Sequence, residues 1–253
     1  MELREEYEKQ QEYRKWLEII EQLPIEDNQV IADLGCGTGG FTEIISEKVR
    51  QVIAVDRNQN LLTNLKEKNI KNVSIIENDI SKIDYITEEL DGIFSSFSIA
   101  YFPKDMKEVI GNWVNKLKSG GWIALIEIDD LLRGHQPLSE ENFGKLARYE
   151  EHIKENGVYD FQAGRKIKNT LRRFNMEIIL EKDLEDRELT ASGIADEEVY
   201  EMWKSRLDRL TISQYYPEKI AQEIKRELLS LFKNPEHINN TKVKFIVAKK
   251  IWK

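Results

Sequence analysis

The amino-acid sequence predicts an α/β fold, a doubly wound and mostly parallel sheet carrying helical insertions. Three observations lead there. First, Val30-Ile31-Ala32-Asp33-Leu34 runs straight into Gly35-Cys36-Gly37-Thr38-Gly39-Gly40, and a helical pattern (Phe41, Ile44, Ile45, Val49) follows at once. That is strand, tight glycine turn, helix. Second, short apolar runs at 51–56, 73–77, 91–98 and 122–129 alternate with helical periodicity, the rhythm of βαβ units with strands buried on both faces. Third, 253 residues at 40% hydrophobic and 33% charged fit one large soluble domain with a sizeable core.

Composition also narrows the function. A net charge of −8 disfavours a large nucleic-acid footprint, which needs Lys and Arg to displace phosphate counterions. The single cysteine, Cys36, excludes an internal disulfide and fits a reducing cytoplasm. The opening Met-Glu-Leu-Arg-Glu-Glu is too charged for a signal peptide, and no apolar run reaches membrane-spanning length. The expected location is cytoplasmic, with no membrane partner; between monomer and homodimer the sequence does not choose.

In chain order, residues 2 to about 23 read as a helix with Tyr13, Trp16, Leu17, Ile20 and Leu23 on one side, ended by Pro24 and Asp27-Asn28. The glycine turn comes next. Glycines permit positive φ and close approach of a ligand, and the helix that follows offers unpaired N–H groups. Gly35, Gly37 and Gly40 fit the dinucleotide fingerprint, but Asp33 beside the turn would repel a pyrophosphate and can attract an ammonium. The stretch Asp33 to Gly39 resembles motif I of the class I S-adenosylmethionine-dependent methyltransferases. That resemblance implies a Rossmann-like seven-stranded sheet whose last strand is antiparallel, S-adenosylmethionine as methyl donor and S-adenosylhomocysteine as product.

A second strand ends at Asp56, 19 residues after Gly37, the spacing of a carboxylate that accepts ribose hydroxyls. In the family this residue binds the donor ribose, and Arg57 would lie along the adenine. After the third strand comes Asn78-Asp79-Ile80; the resemblance implies that Asp79 takes the exocyclic amine and the following N–H, of Ile80, a ring nitrogen. Three acids around one glycine turn suit a cationic adenosyl ligand free of phosphate. The fourth strand opens into Ser96-Phe97-Ser98 and Tyr101, which in the family lies beside the methyl group; Ser96 is assigned to the donor, Phe97 and Tyr101 to the substrate. That loop lacks the Asn-Pro-Pro-Tyr, Asp-Pro-Pro-Tyr and Pro-Cys signatures expected of base-methylating enzymes. A helix over 104–117 stops at Gly120-Gly121, and a fifth strand follows over 122–129.

Past that strand, where open α/β sheets bind ligands, stand Asp129, a candidate substrate contact, and His135, a candidate general base. His152 reads as solvated and His237 as structural. No His, Cys or acidic set has zinc-ligand spacing, so no metal is expected. Strands are expected over 176–183 and 242–250. The helical segments 131–175 and 184–241 read as a cap over the acceptor, because insertions this long in a compact domain usually have a function. Residues 28–130 form the donor-binding core, and 1–24 a lid implied by the resemblance, with Tyr13 and Trp16 facing the substrate. The expected activity is methyl transfer to an O or N atom of a small-molecule metabolite by in-line displacement. A protein or RNA acceptor is the alternative within the family; an NAD-dependent oxidoreductase or a non-catalytic S-adenosylmethionine-binding protein are alternatives of another class.

Overall fold

Runs such as Val30–Leu34 carry no polar face to give to water, so they must lie between two layers. The computed structural model, which describes residues 3–251, puts them there. The elements are α1 (Leu3–Tyr13), α2 (Trp16–Ile20), β1 (Val30–Leu34), α3 (Gly40–Ser46), β2 (Gln51–Asp56), α4 (Gln59–Lys68), β3 (Val73–Glu77), β4 (Leu90–Ser96), α5 (Met106–Lys116), β5 (Leu117–Asp129), β6 (His135–Gln136), α6 (Glu140–Glu155), α7 (Gly164–Arg172), β7 (Met176–Leu184), α8 (Glu197–Arg209), α9 (Ile212–Tyr215), α10 (Glu218–Leu231), β8 (Ile238–Asn239) and β9 (Lys242–Lys250). Seven strands form one sheet in the order β3-β2-β1-β4-β5-β9-β7. β1 through β5 are mutually parallel, and β9 is antiparallel to both neighbours, β5 and β7. The chain reverses direction across the sheet between β1 and β4, so the glycine turn after β1 opens at the crevice where such sheets take ligands.

One apolar layer joins Ile31, Phe94, Trp122 and Phe245 to α2, α3 and the C-terminal helices through Trp203, Leu207, Leu228 and Phe232. The other packs Leu34, Val55 and Ile123 against Trp113 of α5 and Ile167 of α7. Helix caps follow the sequence closely. Asn58, Ser139 and Asp196 each accept a backbone N–H from the first turn of α4, α6 and α8.

Three local expectations are corrected. The N-terminal helix is two helices broken at Arg14-Lys15, which turns Leu17 outward to 59% exposure while Tyr13, Trp16, Ile20 and Leu23 stay buried. Met1 and Glu2 lie outside the described residues. Gly120-Gly121 does not stop a helix: α5 already ends at Lys116, and the pair lies inside β5, where Gly120 at φ 75° accommodates a break in register against β4. Finally, a two-stranded ladder of β6 with β8, too short to show a period in sequence, ties residues 135–136 to 238–239.

Candidate functional site

The glycine turn is held from both sides. Gly35 and Cys36 donate to the Val55 carbonyl at 2.8 and 3.0 Å. Gly37 donates to Asp56 Oδ2 at 2.9 Å, and Asn58 to Asp56 Oδ1 at 2.8 Å. Asp56 is therefore fixed with both oxygens oriented, and its remaining lone pairs can accept a diol. Gly35 sits at φ +80°, and a Cβ there would lie 2.1 Å from Ser98 Oγ, so both conformation and space demand glycine. Asp33 is buried and accepts Thr42 Oγ1 at 2.5 Å; burial, and then the Asp56 charge, push its carboxyl up to about 7. Asp79 accepts Ser81 N–H at 2.6 Å.

These residues line one cavity of about 330 Å³. Of the sequence-predicted donor residues, Asp33, Gly35, Gly37, Asp56, Arg57, Asp79, Ile80 and Ser96 all face it; of the substrate candidates, Trp16, Phe97 and Tyr101 do. Phe97 holds φ +53°, costly for a bulky residue, and its ring carries the Arg14 guanidinium at 4.7 Å. Arg57 lies 6.0 Å over the Tyr101 ring.

Three candidates are elsewhere. Tyr13 lines a neighbouring cavity of about 270 Å³, beneath the Arg187 guanidinium. Asp129 is spent on Arg165, whose Nε donates to it at 2.6 Å. His135 is fully buried, 3.0 Å from His237 Nε2 and packed on Trp203 and Phe232. Burial, reinforced by His237, lowers its pKa to about 3. It does not line the cavity, so the expected general base is placed where it cannot meet an acceptor; the β6–β8 ladder carries it inward.

The remaining wall comes from the N-terminal segment and the insertions. α1 lays Tyr7 over Gly37 and Gln11 over Gly40, within 3.6 and 2.2 Å of where their Cβ atoms would be. Arg14 follows at the helix break, and Tyr159, Leu189 and Arg206 close the far side. Glu6, fully buried, anchors α1 to the insertions by accepting from Arg209 and, at 2.9 Å, from Ser205. Sequence reasoning missed Tyr7, Leu189 and Arg206. Their letters, an aromatic, an aliphatic and a cation on amphipathic segments, carry no mark of a pocket.

The part of the cavity around the glycine turn thus offers three carboxyls, a glycine cradle and one guanidinium. Asp33 is the telling member, because a buried carboxyl held near neutrality is one that an incoming cation would ionise. That suits the ammonium of a methionine moiety and opposes a pyrophosphate.

Residues 32–125 match the family model described as a methyltransferase domain. Over that stretch the chain is similar to methyltransferases. The donor of that family is S-adenosylmethionine. A malonyl-[acyl-carrier protein] O-methyltransferase of Hamiltonella defensa is 26% identical over 127 residues, covering 48% of each chain. A ribosomal RNA small subunit methyltransferase A of Syntrophus aciditrophicus is 35% identical over 71 residues, 27% of this chain and 25% of that protein. This chain spans about half the length, or less, of the curated relatives it matches. In fold it resembles Haemonchus contortus phosphoethanolamine N-methyltransferase 2, solved with phosphomonomethylethanolamine and S-adenosylhomocysteine, at TM-score 0.57 and 19% identity over 94% of this chain and 52% of that one. Among the described residues no group of three or more His, Cys, Asp or Glu could hold a metal, and no helix is long and apolar enough to cross a membrane.

Proposed function

We propose that the protein transfers a methyl group from S-adenosylmethionine to a nitrogen or oxygen atom of a small molecule held in this cavity. Asp33 would face the donor's ammonium, Asp56 its ribose and Asp79 with the Ile80 N–H its adenine, along the glycine turn, with Arg57 and Ser96 beside them. Bound there, S-adenosylmethionine supplies a methyl carbon activated by a cationic sulfur. The chain's own contribution is to orient the acceptor and to exclude water.

The observation that carries a small acceptor is enclosure: the lid residues Tyr7, Gln11 and Arg14 and the insertion residues Tyr159, Leu189 and Arg206 wall the same cavity as the glycine turn. A polymer would need that wall open. Proteins named for an acyl carrier protein, for ribosomal RNA and for phosphoethanolamine match part of the sequence or the fold, so the comparisons leave the acceptor open, and the enclosure of the cavity supports a small one. No histidine lines it among the described residues, and burial raises the Tyr7 and Tyr159 hydroxyls, which stay protonated at neutral pH. Such a site suits an acceptor that needs no proton removed by the protein, an amine bound in its neutral form or a carboxylate.

Incubation with labelled donor and separate RNA, protein and metabolite fractions from the source tests this. Label is expected in the metabolite fraction; label confined to RNA or protein would refute the small acceptor. Stabilisation by NAD and not by S-adenosylhomocysteine in a thermal-shift assay would refute the donor, and donor binding with no label transferred to any fraction would leave a binding protein.

A further inference from the structure

The cavity has a second half whose polarity is one-sided. Arg14 and Arg206 form part of its wall, but their counter-ions do not: Asp186, which accepts from Arg14, and Glu188, which accepts Arg206 Nε at 3.2 Å and also Nη2, both lie behind the wall. Glu188 Oε2 stands 4.0 Å from Arg14 Nη2, so the four groups are neutral as a set with their positive ends toward the cavity. The buried carboxylates nearest this region, Glu6 and Glu127, likewise keep off the surface: Glu6 is taken by Arg209, and Glu127 by the Ala100 and Ile128 N–H groups.

Beside the guanidinium groups stand three phenols, Tyr7, Tyr101 and Tyr159. The Tyr101 and Tyr159 rings meet edge to face at 5.0 Å. Among the described residues none of the three hydroxyls has a hydrogen-bond partner, and neither does Arg206 Nη1. Arg206 keeps its charge although its side chain is only 16% exposed: burial opposes the charge, and Glu188 more than offsets that. Burial raises the Tyr7 and Tyr159 hydroxyls, which stay protonated and can donate, and Tyr101, 44% exposed, adds a third phenol O–H. The spare capacity of this wall is therefore donor capacity, open to an acceptor that enters the cavity. A ligand cation would also find the Phe97 and Tyr101 faces already taken by Arg14 and Arg57.

We propose that this half of the cavity binds an anionic oxygen group of the methyl acceptor, a carboxylate or a phosphate, through Arg206 Nη1 and the hydroxyls of Tyr101 and Tyr159, with Tyr7 at the border of the donor. The inference rests on the donor reading above and narrows the acceptor to a compound with an anionic end. An amine that carries such a group fits both halves of the description.

The donor has a carboxylate of its own, and the experiment must separate the two. Protein saturated with S-adenosylhomocysteine is titrated by calorimetry with inorganic phosphate and, separately, with acetate, at constant ionic strength in chloride. Saturable binding of one of them at a single site is expected, and the one that binds identifies the group. Tyr159→Phe and Tyr101→Phe, which remove only a hydroxyl, are each expected to weaken it by about tenfold while leaving product affinity unchanged. Arg206→Gln is expected to abolish it; Arg206→Lys, which keeps the charge should Gln disturb folding, is expected to retain part. No saturable binding to the product-loaded protein, binding only when the product is absent, or binding unchanged in both Phe variants would overturn the proposal. Failure of the product itself to bind would take down the donor reading as well, and is seen first in the same titration.

Discussion

Asp56 and Asp33 are both carboxylates at strand ends, and their surroundings give them opposite duties. Asp56 already accepts two backbone N–H groups and so is held in register with the glycine turn. Replacing it by alanine removes a charged acceptor and frees the Gly37 N–H, so affinity for S-adenosylhomocysteine should fall by tenfold or more, about 1.5–3 kcal/mol for each charged hydrogen bond lost. Calorimetry on Asp56→Ala that returns wild-type affinity would remove Asp56 from the donor site. Asp33, pushed up to about 7 by burial, is largely protonated in the free protein at pH 6. An ammonium placed beside it would draw off that proton. Product binding at pH 6 should therefore release close to one proton, and at pH 9 almost none, read as a dependence of the binding enthalpy on the buffer's ionisation enthalpy. Asp33→Asn should lose that dependence; if it keeps it, another group titrates. Both residues were legible in sequence because an acid at the end of an apolar run, at a fixed distance from glycines, is a local pattern. His135 was not. It too follows a strand, but what decides its surroundings is a pairing with Asn239 over a hundred residues away, which no local pattern reports.

At the scale of elements, the lid is one helix in sequence and two in the structure, and the break is where the site gains Arg14. Apolar spacing alone ran the pattern through Arg14-Lys15; the competing force is tertiary, since Trp16, which donates to Gln11 at 3.0 Å, turns in to pack edge-on against the stacked Phe41 and Phe94 rings. The inner strands β1, β2 and β4 were read to within a few residues because near-continuous burial leaves an unambiguous apolar run. The cap helices were visible as helices, but their contacts with the lid were not, because an amphipathic helix announces a buried face without saying what covers it. Glu6 shows the cost of that silence: it reads as one more acid in a charged opening and is instead the buried anchor of α1 on α8. Glu6→Ala should loosen α1 locally by about 0.5–1.5 kcal/mol, the net loss of its hydrogen bonds, since Arg209 is 40% exposed and can turn to water. Hydrogen exchange should quicken over residues 5–13 while the sheet amides keep their protection. Uniform quickening across β1 and β4 would mean that Glu6 supports the whole fold and not the lid.

Across the whole molecule the buried titratable groups make stability depend on pH in a direction that can be worked out. Asp33, Glu127 and Glu150 are each raised to about 7, by burial first of all. For a carboxyl whose folded pKa lies above its unfolded value near 4, the folded state binds more protons in between, so stability falls as pH rises from about 4 to about 7. Each contributes at most about 1.4 kcal/mol per pH unit across that window. His135 works the other way: lowered to about 3, it is neutral when folded and protonated when unfolded below its ordinary value, so it removes stability as pH falls from about 6.5 to about 3. Between pH 8 and 6.5 only the carboxyls act, and the melting temperature should rise on acidification. From pH 6.5 to about 4 the raised carboxyls, Asp129 among them, are opposed by His135 and by His237, also lowered by burial, and the rise should continue more slowly. Below about 4 the gains are exhausted, the His135 cost persists, and Asp196 and Glu227, whose pKa values are lowered chiefly by backbone hydrogen bonds in one case and despite partial burial in the other, begin to lose their bonds. Scanning calorimetry from pH 4 to pH 9 should then place the maximum on the acid side of neutrality. Glu127→Gln, which keeps an acceptor for the Ala100 N–H, should flatten the slope between pH 6 and 8; a melting temperature that climbs from pH 6 to 8, in wild type or variant, would show that these carboxyls are ionised at no cost in the fold.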